Sequence, residues 1–335
     1  MSAAGAILVI AEIERGAVTR LTRELLGLAL RLKAQAGYAV NAAVFAPKGG
    51  AVAEELIALG AEQVYCVEHP GLVGYHSEAW TSAAAQLCEE ASPELVLTGH
   101  TATGADLAPR LAFRMQDSVA TGCVDISWRD GACQFTRPCY GGNVRETLSF
   151  TSGLCVATVR AGCSPASVPE AARRGEVRRF QPVLDQALKR MRVVARRADA
   201  AEGLRLEDAA VIVAGGRGLN GPDGFRALET LAGVLGGAVG ASRVPCDLGW
   251  CPRTWQIGLT GRTVQPALYI AVGISGAGHH MAGCGNAKTI VAVNTDANAA
   301  IYRDARFGIV ADHQQFVPAF IDEVRKLKRA PSEAR

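Results

Sequence analysis

Two glycine-rich stretches in the second half of the chain have the composition of phosphate-binding turns. Gly215-Gly216-Arg217-Gly218 and Gly273-Ile274-Ser275-Gly276-Ala277 each follow a short apolar run. At the carboxyl end of a parallel strand, backbone amides can hold phosphate oxygens, and the Arg217 guanidinium can neutralise their charge. Either stretch taken alone is equally compatible with an ordinary structural turn.

Two further polar stretches lie between these turns, Ala241-Ser242-Arg243 and the run from Gln256 to Gly261. All four stretches fall within about 65 residues, and at the ends of parallel strands they would meet in one crevice, where open α/β folds bind nucleotides. The glycine spacing G-x-G-x-x-G occurs at 216–221, but the acidic residue that completes the dinucleotide fingerprint about 20 positions later is absent. The pattern therefore predicts a nucleotide cofactor that is held in another manner.

The ten cysteines do not have the spacing of metal ligands. None belongs to a C-x-x-C pair, which iron–sulfur and structural zinc sites commonly contain, and Cys246 and Cys251 are the nearest couple. Scattered cysteines of this kind are more often small buried thiols than ligands. We therefore expect no metal site.

Hydrophobic periodicity predicts the elements that position these residues. Apolar runs alternate with helix-period stretches, which indicates a mostly parallel sheet covered by helices on both faces. In the first half we predict strands at 7–11, 39–45, 63–67 and 95–98, and helices near 19–35, 51–59, 77–90 and 104–115. Short runs rich in Thr, Val, Cys and Gly predict added strands at 119–160.

The alternation is interrupted at 162–201, where the composition shifts to Pro, Arg and Ala and where we place the connection between two domains, with one strand or helix near 183–195. Beyond it we predict strands at 210–214, 238–240, 268–273, 288–293 and 308–311, and helices at 222–235, 276–283 and 316–328. The prediction is an α/β protein of two domains, each a mostly parallel doubly wound sheet. Their expected bounds are 1–190 and 204–335, with a linker at 191–203.

Composition and charge exclude several classes of protein. A chain of 335 residues is too long for one small module, and no apolar run approaches the roughly 18 to 20 residues of a membrane span, so we expect no membrane insertion. Residues 173–197 hold nine basic and two acidic side chains, or +7 within a total of +3. Such a run is typical of a solvated face, although it can also dock an acidic partner. No aromatic ladder accompanies it, so we expect no nucleic-acid binding.

We expect no signal peptide, because an apolar strand pattern already begins at residue 7. We therefore expect a cytoplasmic bacterial protein.

Six motifs follow one another in the second half. They are Gly-Gly-Arg-Gly at 215–218, Ala-Ser-Arg at 241–243, Gln-x-Gly-x-Thr-Gly at 256–261, Tyr-Ile-Ala-Val-Gly-Ile-Ser-Gly-Ala at 269–277, Asn-x-Asp at 294–296 and Phe-Gly-Ile-Val-Ala-Asp at 307–312. This order resembles the FAD domain of the electron transfer flavoprotein alpha subunit. In the first half, residues 7–12 and Arg-Pro-Cys-Tyr-Gly-Gly-Asn at 137–143 resemble further elements of the family. The resemblance covers nearly the whole chain and implies a second domain that is Rossmann-like.

The resemblance implies a role in FAD binding for each matching residue. Arg217 would contact the diphosphate region, and Ser242 and Arg243 would lie beside the flavin. Gln256, Ile257, Gly258, Leu259 and Thr260 would line the flavin, with the Thr260 hydroxyl near N5. Gly273, Ser275, Gly276, Ala277, Gly278, His279 and His280 would belong to the turn under the pyrophosphate, with His280 reaching the N1 and O2 edge. Asn294, Asp312 and His313 would hold the adenosine end.

Charge explains why such residues would matter. Reduction places negative charge at flavin N1 and O2, so a cation such as Arg243 or His280 would stabilise the reduced cofactor and raise its potential. Two positions depart from the family, which commonly has glutamine at the positions of Leu259 and His279. Because an unperturbed imidazole titrates near about pH 6.5, His279 could make the potential pH-dependent. The potential itself is left open.

The resemblance implies an electron carrier in a heterodimer, with no catalytic residue of its own. The first domain would pack on a beta subunit that carries AMP or a second FAD. The second would pass electrons from an acyl-CoA dehydrogenase-type donor, as in fatty acid beta-oxidation, to a quinone oxidoreductase or a ferredoxin-linked acceptor.

Three alternatives remain open at the level of the sequence. The chain could belong to an electron-bifurcating flavoprotein that oxidises NADH and reduces ferredoxin together with an acyl-CoA-type acceptor. It could be a flavin-dependent oxidoreductase with its own small substrate, in which His279 serves as acid or base. It could also be a module that only binds an adenine nucleotide.

Overall fold

The computed structural model describes residues 5–46, 50–140, 144–150, 153–184, 194 and 204–329. The chain divides into two compact units, Met1–Arg196 and Arg197–Arg335. In each unit, parallel strands alternate with helices. The predicted domain bounds and the linker at 191–203 stay a prediction, because Val194 is the only linker residue that the structure describes.

The first unit is built on a seven-stranded sheet in which all neighbours run parallel, in the order β12-β5-β4-β1-β6-β11-β7. The strands of this unit are β1 (Ala6–Ala11), β2 (Ile13–Glu14), β3 (Ala17–Val18), β4 (Ala39–Phe45), β5 (Gln63–Val67), β6 (Leu95–Gly99), β7 (Ser118–Cys123), β8 (Asp125–Arg129), β9 (Ala132–Cys139), β10 (Val144–Ser149), β11 (Cys155–Val159) and β12 (Glu176–Phe180). The helices are α1 (Arg20–Ala36), α2 (Gly50–Ala58), α3 (Ser77–Ala91) and α4 (Ala102–Met115).

Strand β1 explains why helices cover both faces of this sheet. Its side chains alternate, so that Ile7 and Val9 pack in the core under α1, whereas Leu8 and Ile10 pack in the core under α3 and α4. All four are at most 1% exposed, and each such burial stabilises the fold by roughly 1.5 to 3 kcal/mol. The apolar runs of the sequence are therefore strands that are buried on both faces.

Two parts of the first unit lie outside this regular alternation. Strands β8, β9 and β10, which follow β7 and precede β11 along the chain, form a separate antiparallel sheet. The short Thr- and Val-rich runs predict these added strands. Strand β12 lies within 162–201, where the sequence predicts the connection between the domains and places its one strand or helix further along, near 183–195. It pairs with β5 instead and forms an edge of the large sheet. The element predicted near 183–195 falls almost entirely outside the described residues.

The second unit contains a five-stranded parallel sheet of order β14-β13-β15-β16-β17. Its strands are β13 (Val211–Gly215), β14 (Ala238–Ala241), β15 (Leu268–Val272), β16 (Ile290–Asn294) and β17 (Phe307–Val310), and its helices are α5 (Asp223–Leu235), α6 (Arg243–Asp247), α7 (Gly278–Cys284) and α8 (His313–Arg329). From β13 the chain passes to β14, at one edge of the sheet, and then returns to form β15 on the opposite side of β13. The direction of winding therefore switches between β13 and β15, where doubly wound sheets open a crevice for ligands.

The predicted fold class is confirmed, since both sheets are parallel and carry helices in alternation. The short helix α6 was not predicted; it follows directly after Ser242. None of the described helices has the length and apolar character that crossing a membrane requires.

Candidate functional site

A cavity of about 730 Å³ lies at the carboxyl edge of the second sheet. This volume falls in the range of about 300 to 1,000 Å³ that ligand pockets occupy. Its walls come from the turns after β13, β14 and β15, from the segment 256–260 and from α7. The described lining residues are Arg217, Gly218, Asn220, Ser242, Arg243, Val244, Gln256, Ile257, Gly258, Leu259, Thr260, Gly273, Ile274, Ser275, Ala277, His279, His280, Asn294, Asp296 and Ala299.

The turns after β13 and β15 touch through their backbones. The Gly218 amide donates to the Gly273 carbonyl at 3.0 Å, and Gly216 donates to Val272 at 2.9 Å. Gly273 has φ +63°, and a Cβ added there would lie 2.9 Å from the backbone of Gly218. Only glycine satisfies both conditions, because other residues are strained at this φ and lack the space. The two glycine turns of the sequence are therefore one structure at the switch point.

Ser242 and Arg243 leave the end of β14 beside these turns. The Ser242 amide donates to the Gly215 carbonyl at 2.9 Å, which ties the end of β14 to the end of β13. Arg243 begins α6, and its Nε lies 3.0 Å from Oδ2 of Asp247. The Arg243 side chain is 64% exposed, so a cation that is already oriented by Asp247 stands at the cavity wall.

The segment 256–260 continues the sheet edge next to β14. Ile257 donates to the Ala241 carbonyl at 2.9 Å, and Leu259 donates to the His279 carbonyl at 2.7 Å. The Gln256 Nε2 donates to the Thr260 hydroxyl at 3.0 Å. The hydroxyl oxygen therefore accepts one bond from the protein and keeps its own proton to donate.

His280 lines the cavity but is only 7% exposed. Its Nδ1 lies 3.0 Å from the Ile257 carbonyl oxygen, and its Nε2 lies 2.9 Å from the Tyr269 hydroxyl. A carbonyl can only accept, so Nδ1 carries the proton and the Tyr269 hydroxyl donates to Nε2. Burial lowers the pKa of His280 to about 4, against the opposing effect of the bond to Ile257.

This geometry corrects one expectation and constrains another. His280 is neutral at pH 7 and is therefore not a cation in the cavity, contrary to the expectation from the sequence, because burial disfavours its charged form. Both of its ring nitrogens already have protein partners, so a hydrogen bond from Nε2 to flavin N1 or O2 requires both loss of the bond from the Tyr269 hydroxyl and a proton on Nε2. The neighbouring His279 is exposed on the same wall.

Of the three residues predicted to hold the adenosine end, Asn294 lines the cavity, whereas Asp312 and His313 lie at the start of α8. Asn294 lies on the described lining, where its Nδ2 donates to the Ile274 carbonyl at 3.0 Å and its Oδ1 accepts from the Asp296 amide at 3.0 Å. Asp312 accepts from the Gln314 amide at 2.8 Å and lies 3.3 Å from His313 Nδ1, so it acts as the N-cap of α8. Neither Asp312 nor His313 belongs to the described lining.

Gly276 and Gly278 also stand outside the described lining, although their neighbours belong to it. Gly276 has φ +84°, and a Cβ there would meet the backbone of Ile301. Its contribution is therefore to shape the turn, since any side chain would push against the segment beyond β16.

Six lining residues were not among the predicted site residues. They are Gly218, Asn220, Val244, Ile274, Asp296 and Ala299. Gly218, Ile274 and Asp296 lie inside the motifs quoted above, so the motifs themselves were the signal for them. Asn220, Val244 and Ala299 carry no such signal, and only folding brings them to the cavity.

The arrangement suits a large anionic ligand with an apolar ring. Glycine turns without side chains let a phosphate approach the backbone, and Arg217 and Arg243 supply positive charge along the same wall. Ile257 and Leu259 provide apolar contact beside them. Among the residues that the structure describes, no group of three or more His, Cys, Asp or Glu side chains is arranged to hold a metal ion.

Comparisons with known proteins agree with the two-unit structure. Residues 7–184 match the family model of the electron transfer flavoprotein domain, and residues 205–285 match that of the electron transfer flavoprotein FAD-binding domain. Among solved structures, the spinosyn rhamnosyltransferase SpnG aligns at 14% identity and a TM-score of 0.29 over 97% of this chain and 92% of that one. That likeness is too weak to carry an argument.

Curated relatives match over most of both chains. The electron transfer flavoprotein subunit alpha of Thermoanaerobacterium thermosaccharolyticum is 39% identical over 96% of this chain and 98% of the relative. The subunit alpha of Bacillus subtilis is 41% identical over 82% and 84%, and Protein FixB of Bradyrhizobium diazoefficiens is 36% identical over 98% and 90%. Because the matches span both units and include the cavity, the chain belongs to the electron transfer flavoprotein alpha-subunit family.

Proposed function

We propose that this chain binds FAD in the cavity of the second unit and carries electrons as the alpha subunit of a heterodimer. The observation that supports this most directly is the convergence of four separate stretches, at 215–218, 241–243, 256–260 and 273–277, on one cavity of about 730 Å³. The family match over residues 205–285, which is to an FAD-binding domain, supports the identity of the ligand.

The glycine turns and Arg217 would hold the pyrophosphate. The amides of Gly216, Gly218 and Gly273 donate to backbone carbonyls, which fixes the two turns to each other, and because these glycines carry no side chains a phosphate can approach the turns closely. Arg217 adds a cation that forms no ion pair with another of the described residues. A guanidinium beside turns that lack side chains favours a doubly charged phosphate pair.

Ser242, Arg243 and the segment 256–260 would hold the ring system. FAD supplies the uptake and release of one or two electrons when it is bound. Arg243 is the charged residue placed to stabilise added negative charge, since burial keeps His280 neutral. Gln256 orients the Thr260 hydroxyl, and Ile257 excludes water from the wall of the cavity.

The partners follow from the family. We propose a beta subunit that binds AMP or a second FAD, an acyl-CoA dehydrogenase-type donor, and a quinone oxidoreductase or ferredoxin-linked acceptor. Membership of the alpha-subunit family supports the heterodimer itself.

The test is to express the chain with its beta subunit, purify the heterodimer, and count FAD and AMP per dimer during a dithionite titration. One FAD and one AMP, with reduction by an acyl-CoA dehydrogenase, is the expected result. Two FAD together with NADH-dependent ferredoxin reduction would replace the simple shuttle with the bifurcating alternative. Turnover of a small substrate without a partner protein would favour an independent oxidoreductase, and absence of flavin would refute the proposal.

Arg217→Ala gives a sharper test of the phosphate end. Removing the guanidinium should weaken FAD binding by about tenfold or more, because a charge-assisted bond to phosphate is worth roughly 1.5 to 3 kcal/mol. Equilibrium dialysis or fluorescence titration of the heterodimer would measure the change. Arg226→Ala on α5 is the matched control, since Arg226 is exposed, pairs with Asp223 and does not line the cavity. Equal affinities in the two variants would place the phosphates elsewhere.

A further inference from the structure

Cys246 and Cys251 are in direct contact next to the cavity. Their Sγ atoms lie 3.5 Å apart, and both are free thiols. Cys246 lies in α6 and Cys251 in the turn that follows it. The Cys246 Sγ donates to the Pro252 carbonyl at 3.7 Å, so the proton between the two sulfurs belongs to Cys251, which donates to Cys246.

The backbone, rather than a chance side-chain contact, brings the two sulfurs together. Leu248 donates to Val244 at 3.0 Å, and Trp250 donates to Pro245 at 2.9 Å, so the chain folds back on itself directly after α6. Gly249 lies within this reversal at φ +72°, a value that glycine adopts without strain. The fold therefore holds the two cysteines as neighbours.

Cys246 differs electrostatically from most other thiols of the chain. Contact with the Cys251 thiol lowers the pKa of Cys246 and outweighs the opposing effect of burial, and the same contact raises the pKa of Cys251. For seven other cysteines burial raises the pKa instead: Cys66, Cys88, Cys123, Cys133, Cys155, Cys163 and Cys284. The thiolate is the reactive form, so the contact with Cys251, rather than exposure, favours Cys246 as a nucleophile, since Cys246 is itself only 9% exposed.

The position of the pair connects it to the cavity. Arg243 and Val244, which line the cavity, belong to the same short helix as Cys246. Gln256, also a lining residue, follows Cys251 after a single turn of 3-10 helix (Arg253–Trp255). Any bond between the two sulfurs therefore closes a ring in the segment that joins Arg243 to Gln256.

We propose that Cys246 and Cys251 form a redox-active dithiol, which a hydroperoxide oxidises to a disulfide that locks the cavity segment between Arg243 and Gln256. Cys246 is the attacking residue and Cys251 the resolving one. The bond formation itself depends only on the thiols, whereas its effect on the cofactor rests on the function proposed above.

The reaction balances in two steps. The Cys246 thiolate attacks one oxygen of hydrogen peroxide, the O–O bond breaks, and hydroxide leaves, which makes the sulfenic acid. The Cys251 sulfur then attacks the Cys246 sulfur, the S–O bond breaks, and water leaves with the thiol proton. Two thiols lose two electrons in total, and one peroxide gains them to become two waters.

Formation of the disulfide requires the two sulfur atoms to move closer together, and it restricts the segment that carries them. A disulfide brings the sulfurs to about 2.05 Å, so the pair closes by roughly 1.5 Å from the observed 3.5 Å. The closed ring restricts the segment when the cavity is empty, and pre-ordered segments lose less freedom on binding. We therefore expect FAD to dissociate severalfold more slowly from the oxidised protein.

The experiment treats the full chain with dilute hydrogen peroxide, alkylates the remaining thiols, and analyses tryptic peptides by mass spectrometry. Trypsin cuts after Arg243 and Arg253, so residues 244–253 form one peptide that holds both cysteines. The expected product is this peptide, unalkylated and lighter by two hydrogens, formed before the other cysteines react. Dithiothreitol should convert this product back to the peptide with two free thiols.

Three variants separate the roles. Cys251→Ser should stop at a sulfenic acid on Cys246, which dimedone traps, whereas Cys246→Ser should leave Cys251 unreacted. Cys133→Ser is the matched control, because Cys133 is half-buried in the first unit and should leave the reaction unchanged. The same peptide can be followed without FAD, so the result does not depend on flavin binding.

Two outcomes would overturn the proposed redox-active dithiol. Modification of other cysteines while the 244–253 peptide stays reduced would show that the pair is inert, and a sulfinic acid on Cys246 beside a free Cys251 would show that the pair cannot close. In the FAD-loaded heterodimer, an unchanged FAD dissociation rate after oxidation would refute the lock on the cavity. Absence of FAD in the untreated heterodimer would instead refute the proposed function.

Discussion

Arg243 and His280 line the same cavity but contribute to its electrostatics in opposite ways. Arg243 is a guanidinium held at the wall by Asp247, and it stays charged at any physiological pH. His280 is neutral, because burial lowers its pKa to about 4, and it is held in one tautomer by Ile257 and Tyr269. Of these two residues, only Arg243 therefore contributes positive charge to the wall, which Arg217 also lines.

Arg243→Ala should lower the midpoint potential of the bound flavin. Removing a cation disfavours the added electron, and we expect a shift on the order of tens of millivolts for a partly solvated charge. Potentiometric titration of the heterodimer against redox dyes would measure it, with Arg226→Ala as the control. An unchanged or raised potential would contradict the placement of Arg243 beside the flavin.

His280 makes stability depend on pH. Its pKa is 6.5 without perturbation and about 4 when folded. Below pH 6.5 His280 binds a proton in the unfolded chain but not in the folded one, so the free energy of unfolding decreases as the pH falls toward 4. Between pH 7.5 and pH 5 this loss is about 2 kcal/mol for the second unit. His280→Gln should remove it.

Urea unfolding at pH 7.5 and pH 5 would measure this difference in the wild-type chain and in the variant. His279→Gln is the matched control, because His279 is the adjacent histidine on the same helix but is exposed. If the loss of stability persists in His280→Gln, the buried tautomer is not its source.

At the scale of elements, the buried strands and the glycine turns could be predicted from sequence, because each leaves a local pattern. Strand β4 is found at the predicted residues, since its apolar run is buried on both faces. Strand β12 was missed because it lies at an edge and is mostly exposed, so its sequence is Glu-Val-Arg-Arg-Phe rather than apolar. Pairing with β5 is a long-range event that no local pattern records.

The candidate site shows the same division. The turns at 215–218 and 273–277 could be predicted because each is a local glycine pattern after an apolar run, and because their order along the chain distinguishes them from ordinary structural turns. The burial of His280 could not be predicted, because it depends on Tyr269 in β15 and Ile257 beside β14. Asp312 was placed with the cofactor by its motif, whereas its carboxylate caps α8.

Gly273→Ala tests the contact between the two glycine turns. The added methyl group would meet the backbone of Gly218 at φ +63°, so we expect a loss of roughly 1 to 3 kcal/mol and weaker FAD binding. Gly233→Ala on α5 is the control. It meets nothing within 4 Å, and should be neutral or stabilise by up to about 1 kcal/mol. Thermal unfolding and flavin retention would measure both, and equal behaviour would exclude a steric role for Gly273.

At the scale of the whole molecule, each unit has its own core on both faces of its own sheet. The predicted linker at 191–203 contains Arg192, Arg196 and Arg197. We expect brief digestion with trypsin to cut there first and to give two fragments, because cores resist proteases and connections do not. Intact-mass measurement would locate the cut. An early cut inside either sheet would contradict the predicted bounds.

The edge strand β12 has a consequence for synthesis of the chain. The Gln63 side chain of β5 bonds to Glu176 of β12, which is 113 residues later. At synthesis rates of roughly 5 to 20 residues per second, the outer edge of β5 stays unpaired for roughly 6 to 23 seconds before β12 is made. An unpaired strand edge can recruit another chain during that time. We expect the yield of folded protein to depend on translation speed between these two strands as well as on the stability of the finished fold.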